Sequence, residues 1–249
     1  HFSDSISPAK LYLWTNRINR FVQRYNLAGL IESVKWDVTD ETLETSFISD
    51  DKSVLGKVST TDFNFKNGSY GVYDTTKLTK MLSVLSNDVD VDTVDIDGKT
   101  VSLNISDKGT TATYMLADLT VIPAVPDLKQ LPDFDVDISI DSTFVTKFNK
   151  AKSALSDEKN FTFECKDGVG KITLGHSNVN TNRISIAVDC KCNGDIEPIS
   201  FSAEFLKEIL NSNRDAKSAS LKISTQGLAY LNFEVDSYKS EYYLVQIQS

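Results

Sequence analysis

The sequence contains very little histidine. Only His1 and His176 occur among 249 residues, so a Ser-His-Asp or Cys-His triad would have to use His176. That residue lies in Gly175-His176-Ser177, between two strand-like segments, where a histidine exposed in a turn is the simpler interpretation. No pair of carboxylates stands out for acid-base chemistry either. We therefore predict that the protein is not an enzyme.

Cysteine is almost as scarce. Cys165, Cys190 and Cys192 are too few for a disulfide framework in a chain of this length. The Cys190-x-Cys192 spacing suits a metal ligand pair, but a zinc site takes about four ligands. His176 is the only other soft donor close to them in sequence. We predict free thiols in a reducing compartment and no metal ion.

Long apolar runs and an excess of positive charge are also missing. No segment approaches the roughly 18 apolar residues of a membrane-spanning helix, and none has the pattern of a secretory signal peptide. The 26 lysines and arginines are outnumbered by 35 aspartates and glutamates, which gives a net charge of −9. A chain with this average charge repels nucleic acid and anionic membranes. The average excludes a strongly adhesive DNA-binding protein.

Most of the sequence alternates between apolar and polar residues, which is the period of a half-buried β-strand. The clearest stretches are residues 31–38, 101–105, 161–165, 184–188 and 230–234. Dipeptides such as Asp97-Gly98 mark turns between them. Lys166-Asp167-Gly168 predicts a hairpin turn.

Four segments have the 3.6-residue spacing of amphipathic helices instead. They are residues 9–25, 74–87, 141–155 and 203–217. Their apolar stripes are Trp14, Ile18, Phe21, Val22 and Tyr25; Leu78, Met81, Leu82 and Leu85; Phe144, Val145, Phe148 and Ala151; and Phe205, Leu206, Ile209 and Leu210. Asp141 or Ser142 and Ser202 are the predicted N-caps of the third and fourth helices.

The order helix, strands, helix, strands occurs twice, and the halves match at one fixed shift. A shift of about 128 residues takes Leu78, Met81 and Leu82 onto Leu206, Ile209 and Leu210, Leu103-Asn104-Ile105 onto Leu231-Asn232-Phe233, and Tyr114 and Leu116 onto Tyr242 and Leu244. Residues 121–133 contain three of the five prolines and predict an extended linker. The fold class is α+β, with duplicated domains at 1–120 and 134–249 joined by a connector at 121–133.

Positive charge is concentrated on the predicted helices. Their 61 residues hold 12 basic and five acidic side chains, a net charge of +7, so the other 188 residues carry −16. A solvated polar face is the simpler interpretation of any single helix, but four basic helices in a duplicated frame favour phosphate contacts without sequence preference. The residues predicted to face DNA are Lys10, Arg17, Arg20, Arg24, Lys77, Lys80, Lys147, Lys150, Lys152, Lys207, Arg214 and Lys217.

Three segments carry a resemblance to a known family. They are residues 71–88 (Gly-Val-Tyr-Asp-Thr-Thr-Lys-Leu-Thr-Lys-Met-Leu-Ser-Val-Leu-Ser-Asn-Asp), the connector 121–133, and the stretch from 205–210 to 242–245. In these the chain resembles the DNA polymerase sliding clamps, most of all those of T-even-type bacteriophages, and the proliferating cell nuclear antigen family. The resemblance implies two duplicated clamp domains, each with two helices packed on antiparallel sheets, and a head-to-tail homotrimer closed into a ring.

The function that this resemblance implies is topological. A clamp encircles duplex DNA without reading its sequence and tethers the replicative DNA polymerase, here in the cytoplasm of a bacterial host. A separate ATP-dependent clamp loader opens the ring, and the clamp itself has no cofactor. Partner proteins dock a short peptide beneath the interdomain connector, which would use Val121, Ile122, Leu128, Leu131, Tyr243, Leu244 and Val245.

A second interpretation stays open. The chain could be a non-enzymatic structural or adhesion module, of a phage or secreted, that is rich in β-structure and whose basic helices are only solvated faces. The abundance of Asn, Ser, Thr and Asp fits this. Asn67-Gly68-Ser69 and Asn160-Phe161-Thr162 would be glycosylation sites in a protein secreted from a eukaryote.

Overall fold

The computed structural model describes residues 13–128 and 130–248. Within them the chain forms four α-helices and sixteen β-strands. The helices are α1 (Trp14–Asn26), α2 (Thr75–Leu82), α3 (Ser142–Ala154) and α4 (Ala203–Ser212). The strands are β1 (Val34–Thr39), β2 (Thr42–Ile48), β3 (Val54–Thr60), β4 (Gly68–Val72), β5 (Asp90–Ile96), β6 (Lys99–Ser106), β7 (Thr111–Met115), β8 (Val136–Ile140), β9 (Asn160–Lys166), β10 (Val169–Leu174), β11 (Ile184–Val188), β12 (Cys190–Cys192), β13 (Ile196–Ser202), β14 (Ala219–Ser224), β15 (Leu228–Val235) and β16 (Tyr238–Val245). None of these helices has the length and apolar character needed to cross a membrane.

The chain divides into two compact units. The first comprises the residues up to Ile48, Lys57–Val125 and Asp236–Lys239, and the second comprises Ser49–Gly56, Pro126–Val235 and the residues from Ser240 onward. Strands β3 and β16 therefore contribute residues to both units, which a linear division of the sequence does not express. The boundaries at 120 and 134 stay a prediction.

The first unit contains two sheets and two helices. One sheet has the order β3-β2-β1-β4, with residues 236–239 beside β3, and the other has the order β5-β6-β7. Helix α1 packs on α2, and α2 packs on β7. Ile18, Phe21 and Tyr25 of α1 are completely buried. The predicted apolar stripe of this helix is confirmed.

The second unit repeats this plan. One sheet has the order β12-β8-β14-β15-β16, with residues 54–56 of β3 beside β16, and the other has the order β11-β10-β9-β13. Helix α3 packs on α4 and β11, and α4 packs on β9. Phe148 of α3 and Leu206 and Ile209 of α4 are completely buried between the helices and the sheets. The predicted fold class, duplicated α+β units with two helices on antiparallel sheets, is confirmed.

The predicted caps are present. Asp141 accepts a hydrogen bond from the backbone N–H of Phe144 at 2.8 Å, and Ser202 accepts one from Phe205 at 3.2 Å. These bonds satisfy N–H groups that have no partner inside the first turn of a helix. Helix α2 has an equivalent cap, in which Asp74 accepts from Lys77 N–H at 2.9 Å.

Two helices are shorter than the apolar spacing predicted. Helix α2 ends at Leu82 rather than at 87, because the Ser83 hydroxyl donates to the carbonyl of Lys80 and the Ser86 N–H bonds the Asp107 carboxylate instead. Helix α4 ends at Ser212 rather than at 217, because the side chain of Asn213 donates to the carbonyl of Ile209. For α1, the predicted residues 9–12 lie outside the described residues.

Two of the predicted turns have the geometry that hairpins require. Asp97 and Gly98 join β5 to β6 with φ values of 51° and 78°. Asp167 and Gly168 join β9 to β10 with φ values of 52° and 79°. Two successive residues with positive φ match the right-handed twist of the flanking strands, and glycine and aspartate tolerate this conformation.

The internal repeat is visible in the packing. Leu78 of α2 and Leu206 of α4 correspond in the repeat, and both are completely buried. Leu82 of α2 is also completely buried, and its counterpart Leu210 of α4 is almost completely buried. In the strands that follow, the pairs Leu103 and Leu231, Ile105 and Phe233, and Tyr114 and Tyr242 are all buried. Each half therefore uses matching sequence positions for its core.

Candidate nucleic-acid interface

Helix α2 of the first unit presents two lysines to solvent. Leu78 and Leu82 hold one face against the core, and Lys77 and Lys80 lie on the exposed side. Neither ammonium group has an ion-pair partner among the residues that the structure describes. The structure confirms the exposed face that the spacing predicted, while a contact of this pair with DNA stays a prediction.

Helix α3 of the second unit has the same feature. Phe144 and Phe148 face the core, while Lys147 and Lys150 are exposed and have no carboxylate partner in the described part of the chain. Lys152 differs, because it is half-buried and donates to the carbonyl of Ser156 at 2.8 Å. This hydrogen bond to the turn that follows its own helix holds the Lys152 ammonium group locally. We call Lys77, Lys80, Lys147 and Lys150 the exposed lysine set.

Helix α4 is not basic. Lys207 is half-buried with its Nζ 3.8 Å from Glu208, and Glu204 lies in the first turn. Arg214 and Lys217 were predicted on this helix but follow its end, where both are exposed. Arg214 donates from Nε to Asn211 at 3.0 Å. The fourth helix therefore contributes much less positive charge than the sequence pattern predicts.

The arginines of α1 require a correction. Arg24 was predicted to face DNA, but it is only 1% exposed. Its Nη1 donates to the carbonyl of Arg20 at 2.8 Å, and its guanidinium lies 4.8 Å from the ring centre of Tyr238. A side chain enclosed in this way cannot reach a phosphate. The spacing that placed Arg24 on one face with Arg17 and Arg20 was right, but this face is covered by the chain itself.

Arg17 and Arg20 are half-buried on the same face. Arg17 donates to the carbonyls of Asp62 at 2.7 Å and Thr61 at 2.8 Å. Arg20 lies 4.6 Å from the ring centre of Tyr238 and 2.9 Å from the carboxylate of Asp236. Both guanidinium groups hold neighbouring segments of the first unit, so their net charge toward solvent is reduced. Lys10, the remaining residue predicted on this helix, lies outside the described residues.

Some lysines on strands or in adjoining loops have a different environment from the exposed lysine set. Five of them lie 2.5 to 3.6 Å from carboxylate oxygens: Lys35 from Asp37, Lys57 from Glu44, Lys66 from Asp95, Lys99 from Asp118 and Lys171 from Glu164. Each carboxylate neutralises its lysine locally. At Asp95, hydrogen bonds from Lys66 and Thr100 hold the pKa of the carboxyl below its usual value.

The predicted partner-peptide residues are exposed in part. Val121 of the first unit is 55% exposed and is the last residue of a short 3₁₀ turn capped by Asp118. In the second unit, Leu128, Leu131 and Val245 are each 40–43% exposed. Apolar side chains with this exposure are accessible to another molecule.

The predicted position of Leu244 in the partner groove also requires a correction. Leu244 was predicted to line the partner groove, but it is completely buried. Successive residues of a strand point to opposite faces, so on β16 Tyr242 and Leu244 enter the core while Tyr243 and Val245 lie on the other side. The repeat offered a signal for this, because Leu244 corresponds to Leu116 and Tyr242 to the buried Tyr114.

Three aromatic rings of the second unit contact one another in series, and only one of them, Tyr243, was predicted. The ring centres of Phe134 and Tyr230 lie 5.9 Å apart, and those of Tyr230 and Tyr243 lie 4.9 Å apart. Burial, together with the charge of Glu241, raises the pKa of Tyr230 to about 12. Phe134 and Tyr230 are distant in sequence and gave no local signal.

The three cysteines come together in the second unit. Their sulfur atoms all lie within 4.8 Å of one another, and the structure groups no histidine with them. The sequence offered only His176 as a further soft donor near Cys190 and Cys192 and predicted free thiols, whereas the structure brings Cys165 next to them. This is the one cluster in the described residues with three possible metal ligands.

No protein-family model and no curated protein sequence matches the chain. Among solved structures, the chain is similar to the proliferating cellular nuclear antigen of Entamoeba histolytica, with a TM-score of 0.66. The two are 17% identical in sequence, and the match covers 95% of each chain. At this identity the likeness shows the fold: the chain has a PCNA-like clamp fold, as the sequence resemblance predicted.

Proposed function

We propose that the chain is the subunit of a sliding clamp, a non-enzymatic ring that encircles duplex DNA and tethers a DNA polymerase in the cytoplasm of a bacterial host infected by a phage. The observation that carries this proposal is the exposed lysine set. It places two unpaired lysines on one helix of each unit, in a chain with a clamp fold. A separate clamp loader would open the ring so that DNA can enter.

The chemistry of these lysines suits a sliding contact. An ammonium group is a compact charge on a flexible stem, so it follows phosphates without fixing a register or reading a base. The four helices as observed hold nine basic and two acidic side chains, a net charge of +7, of which the charge of the enclosed Arg24 is not available to DNA. Because the whole chain carries −9, the remaining residues carry −16, which repels DNA from other surfaces.

The strands at the edges of the sheets support a head-to-tail assembly of copies of this chain, because most edges are protected from pairing and two are not. Four edge strands are protected in the ways that discourage pairing with another chain. Strand β12 has only three residues, and β13 contains Pro198 and a register shift. Strand β5 carries three aspartates, Asp90, Asp92 and Asp95. The edge of β4 is covered by the segment after β7, where Ala117 N–H donates to the carbonyl of Gly71 at 2.9 Å.

Strands β7 and β11 have no such protection from the residues that the structure describes. Each has five residues and is paired on one side only within its sheet. Strand β7 belongs to the first unit and β11 to the second. We therefore propose that β7 of one copy pairs with β11 of the next. A head-to-tail contact of this kind generates a ring when its rotation closes, and the sequence resemblance predicts closure at three copies.

A charge introduced on β11 tests this interface. Ala187 is exposed on β11, so Ala187→Asp should leave the monomer folded and shift the mass by light scattering from trimer to monomer. Val179→Asp is the matched control, because Val179 is 66% exposed in a loop. This variant should remain a trimer. A trimer that survives Ala187→Asp would contradict pairing at β11.

The encircling of DNA can be tested with the protein alone. Linear duplex DNA with biotin at both ends is first incubated with the protein, and streptavidin is then added to block the ends. Salt at high concentration removes electrostatically bound protein, so the protein that remains is held by topology. We expect it to stay through the salt wash and to leave after a restriction cut.

Reversing the order of addition is the control. When streptavidin blocks the ends before the protein is added, a closed ring cannot thread, and retention should fall to background. Retention that is equal in both orders, or that disappears in the salt wash, would overturn the sliding-clamp proposal.

A further inference from the structure

The three cysteines of the second unit form one compact group. Cys165 comes from β9, and Cys190 and Cys192 come from β12, which belongs to a different sheet. The sulfur atoms of Cys190 and Cys192 are 3.5 Å apart, and all three sulfurs lie within 4.8 Å of one another. The group includes every cysteine of the chain.

Local structure explains how these sulfurs meet. Cys190 and Cys192 are two residues apart on a strand, so their side chains point to the same face. In the other sheet, Cys165 of β9 lies opposite Gly170 on the adjacent strand β10. A Cβ atom on Gly170 would lie 2.3 Å from the sulfur of Cys190. The absence of a side chain at Gly170 thus provides the space that this sulfur occupies.

We propose that Cys165, Cys190 and Cys192 bind one thiophilic metal ion, with Zn²⁺ as the first candidate. Three sulfurs that each lie about 2.3 Å from one zinc ion are about 3.8 Å apart in a tetrahedral site and about 4.0 Å apart in a trigonal one. The observed separations, from 3.5 Å to at most 4.8 Å, bracket these values. Small side-chain rotations therefore suffice to form the site.

The exposure of the sulfurs also fits an ion site. Cys165 is 2% exposed and anchors the group, while Cys190 and Cys192 are half-buried and reachable from solvent. An ion can therefore enter, and a water molecule can take a fourth position. Soft thiolate ligands favour Zn²⁺, Cd²⁺ and Cu⁺ over Mg²⁺ or Ca²⁺.

Two other roles for the thiols are less well supported. A disulfide needs sulfurs about 2.05 Å apart, so Cys190 and Cys192 would have to move together by more than an ångström along a strand that is paired with β8. A reactive nucleophile needs a lowered pKa, whereas burial raises the pKa of both Cys190 and Cys192.

Metal titration of the reduced protein tests the proposal. The purified protein is treated with a chelator and a thiol-free reductant and is then titrated with Cd²⁺. Thiolate ligands of Cd²⁺ give a charge-transfer absorption band, which reports binding. We expect one ion per chain, and competition by Zn²⁺. Zn²⁺ should also raise the midpoint of thermal unfolding, because an ion that binds only the folded state stabilises it.

Three variants separate the ligands from the rest of the chain. Cys192→Ser, at a half-buried position, should remain folded and lose the absorption band and the thermal shift. Gly170→Ala keeps all three thiols but displaces the sulfur of Cys190, so binding should weaken by about tenfold or more. His176→Ala is the matched control and should bind as the wild type does, because His176 is not part of the group.

Two results would overturn the proposal. One is the absence of thiolate-to-Cd²⁺ absorption in folded, reduced wild-type protein at micromolar concentrations of ion. The other is binding that Cys192→Ser retains in full. If the first result is found and mass spectrometry also detects a disulfide that re-forms readily, the group is a redox pair.

Discussion

The guanidinium of Arg24 lies 4.8 Å from the ring centre of Tyr238 and is almost completely enclosed. Arg20 lies over the same ring at 4.6 Å, so two arginines of α1 share one aromatic contact in the first unit. Cations over an aromatic face are attracted by the ring quadrupole, and more strongly when water is excluded. The basic face of α1, which the sequence pattern predicted to bind DNA, therefore packs within the first unit.

Replacing Arg24 should therefore affect stability. We expect Arg24→Ala to lower the free energy of unfolding by about 2–3 kcal/mol, because it removes a desolvated cation–π contact and a hydrogen bond to Arg20. Urea unfolding measures the change. Lys80→Ala, at an exposed helix position, should shift stability by less than about 0.5 kcal/mol. Equal effects of the two variants would contradict the structural role of Arg24.

The exposed lysine set should control the electrostatic part of DNA binding. We expect the variant with Lys77, Lys80, Lys147 and Lys150 replaced by Ala to bind DNA more weakly at low salt. The slope of log K against log salt should fall by about 1 for each phosphate that a lysine no longer neutralises. Binding is measured by fluorescence anisotropy on duplex DNA over a salt series.

The matched control for this variant replaces four strand lysines, Lys35, Lys57, Lys99 and Lys171, by Ala. Each of these pairs with a carboxylate, so the same number of charges is removed from surfaces that we propose do not face DNA. The control should keep the wild-type salt slope. If the affinity of both variants falls equally, general charge governs binding and the helices have no special role.

Features that depend on neighbours in sequence could be predicted well. The apolar stripe of α1, the cap at Asp141 and the hairpin turn at Asp167 and Gly168 all rest on contacts a few residues apart. The fixed shift between Leu78 and Leu206 revealed the duplication, because both halves bury the same positions.

The rest depends on contacts that join distant parts of the chain. Arg24 is buried by Tyr238, which is far away in sequence, and Cys165 meets Cys190 only because two different sheets face each other in the second unit. No spacing rule reports either contact. The error at Leu244 was avoidable, since strand alternation and the match of Tyr242 to Tyr114 place that side chain in the core.

Tyr25 should make stability depend on alkaline pH. Burial, the largest cause, raises the pKa of its hydroxyl above the ordinary value near 10, although hydrogen bonds with Thr75 at 2.8 Å and Trp36 at 3.2 Å act in the opposite direction. The native state therefore keeps a proton that the unfolded chain releases. Its stabilising contribution is fully present below pH of about 10 and decreases as pH rises further.

Tyr25→Phe isolates this contribution. At pH of about 7 the variant should be less stable by about 1–2 kcal/mol, because the buried Trp36 N–H is left without its acceptor. Above pH of about 10 its stability should decline less steeply than that of the wild type, as measured by urea unfolding at a series of pH values. Tyr73→Phe, at a residue that is 55% exposed, should follow the wild-type curve. Parallel curves for Tyr25→Phe and the wild type would exclude this role.

Leu244 and Val245 are adjacent on β16 and should behave in opposite ways. Leu244 is completely buried, so Leu244→Ala should lower the free energy of unfolding by about 2–5 kcal/mol through the cavity it leaves. Val245 is 41% exposed, so Val245→Asp should leave stability nearly unchanged. If the proposed partner-peptide contact is right, Val245→Asp should weaken binding of the polymerase by about tenfold or more, measured by surface plasmon resonance. Unchanged polymerase binding by Val245→Asp would remove β16 from the partner site, whatever Leu244→Ala does to the fold.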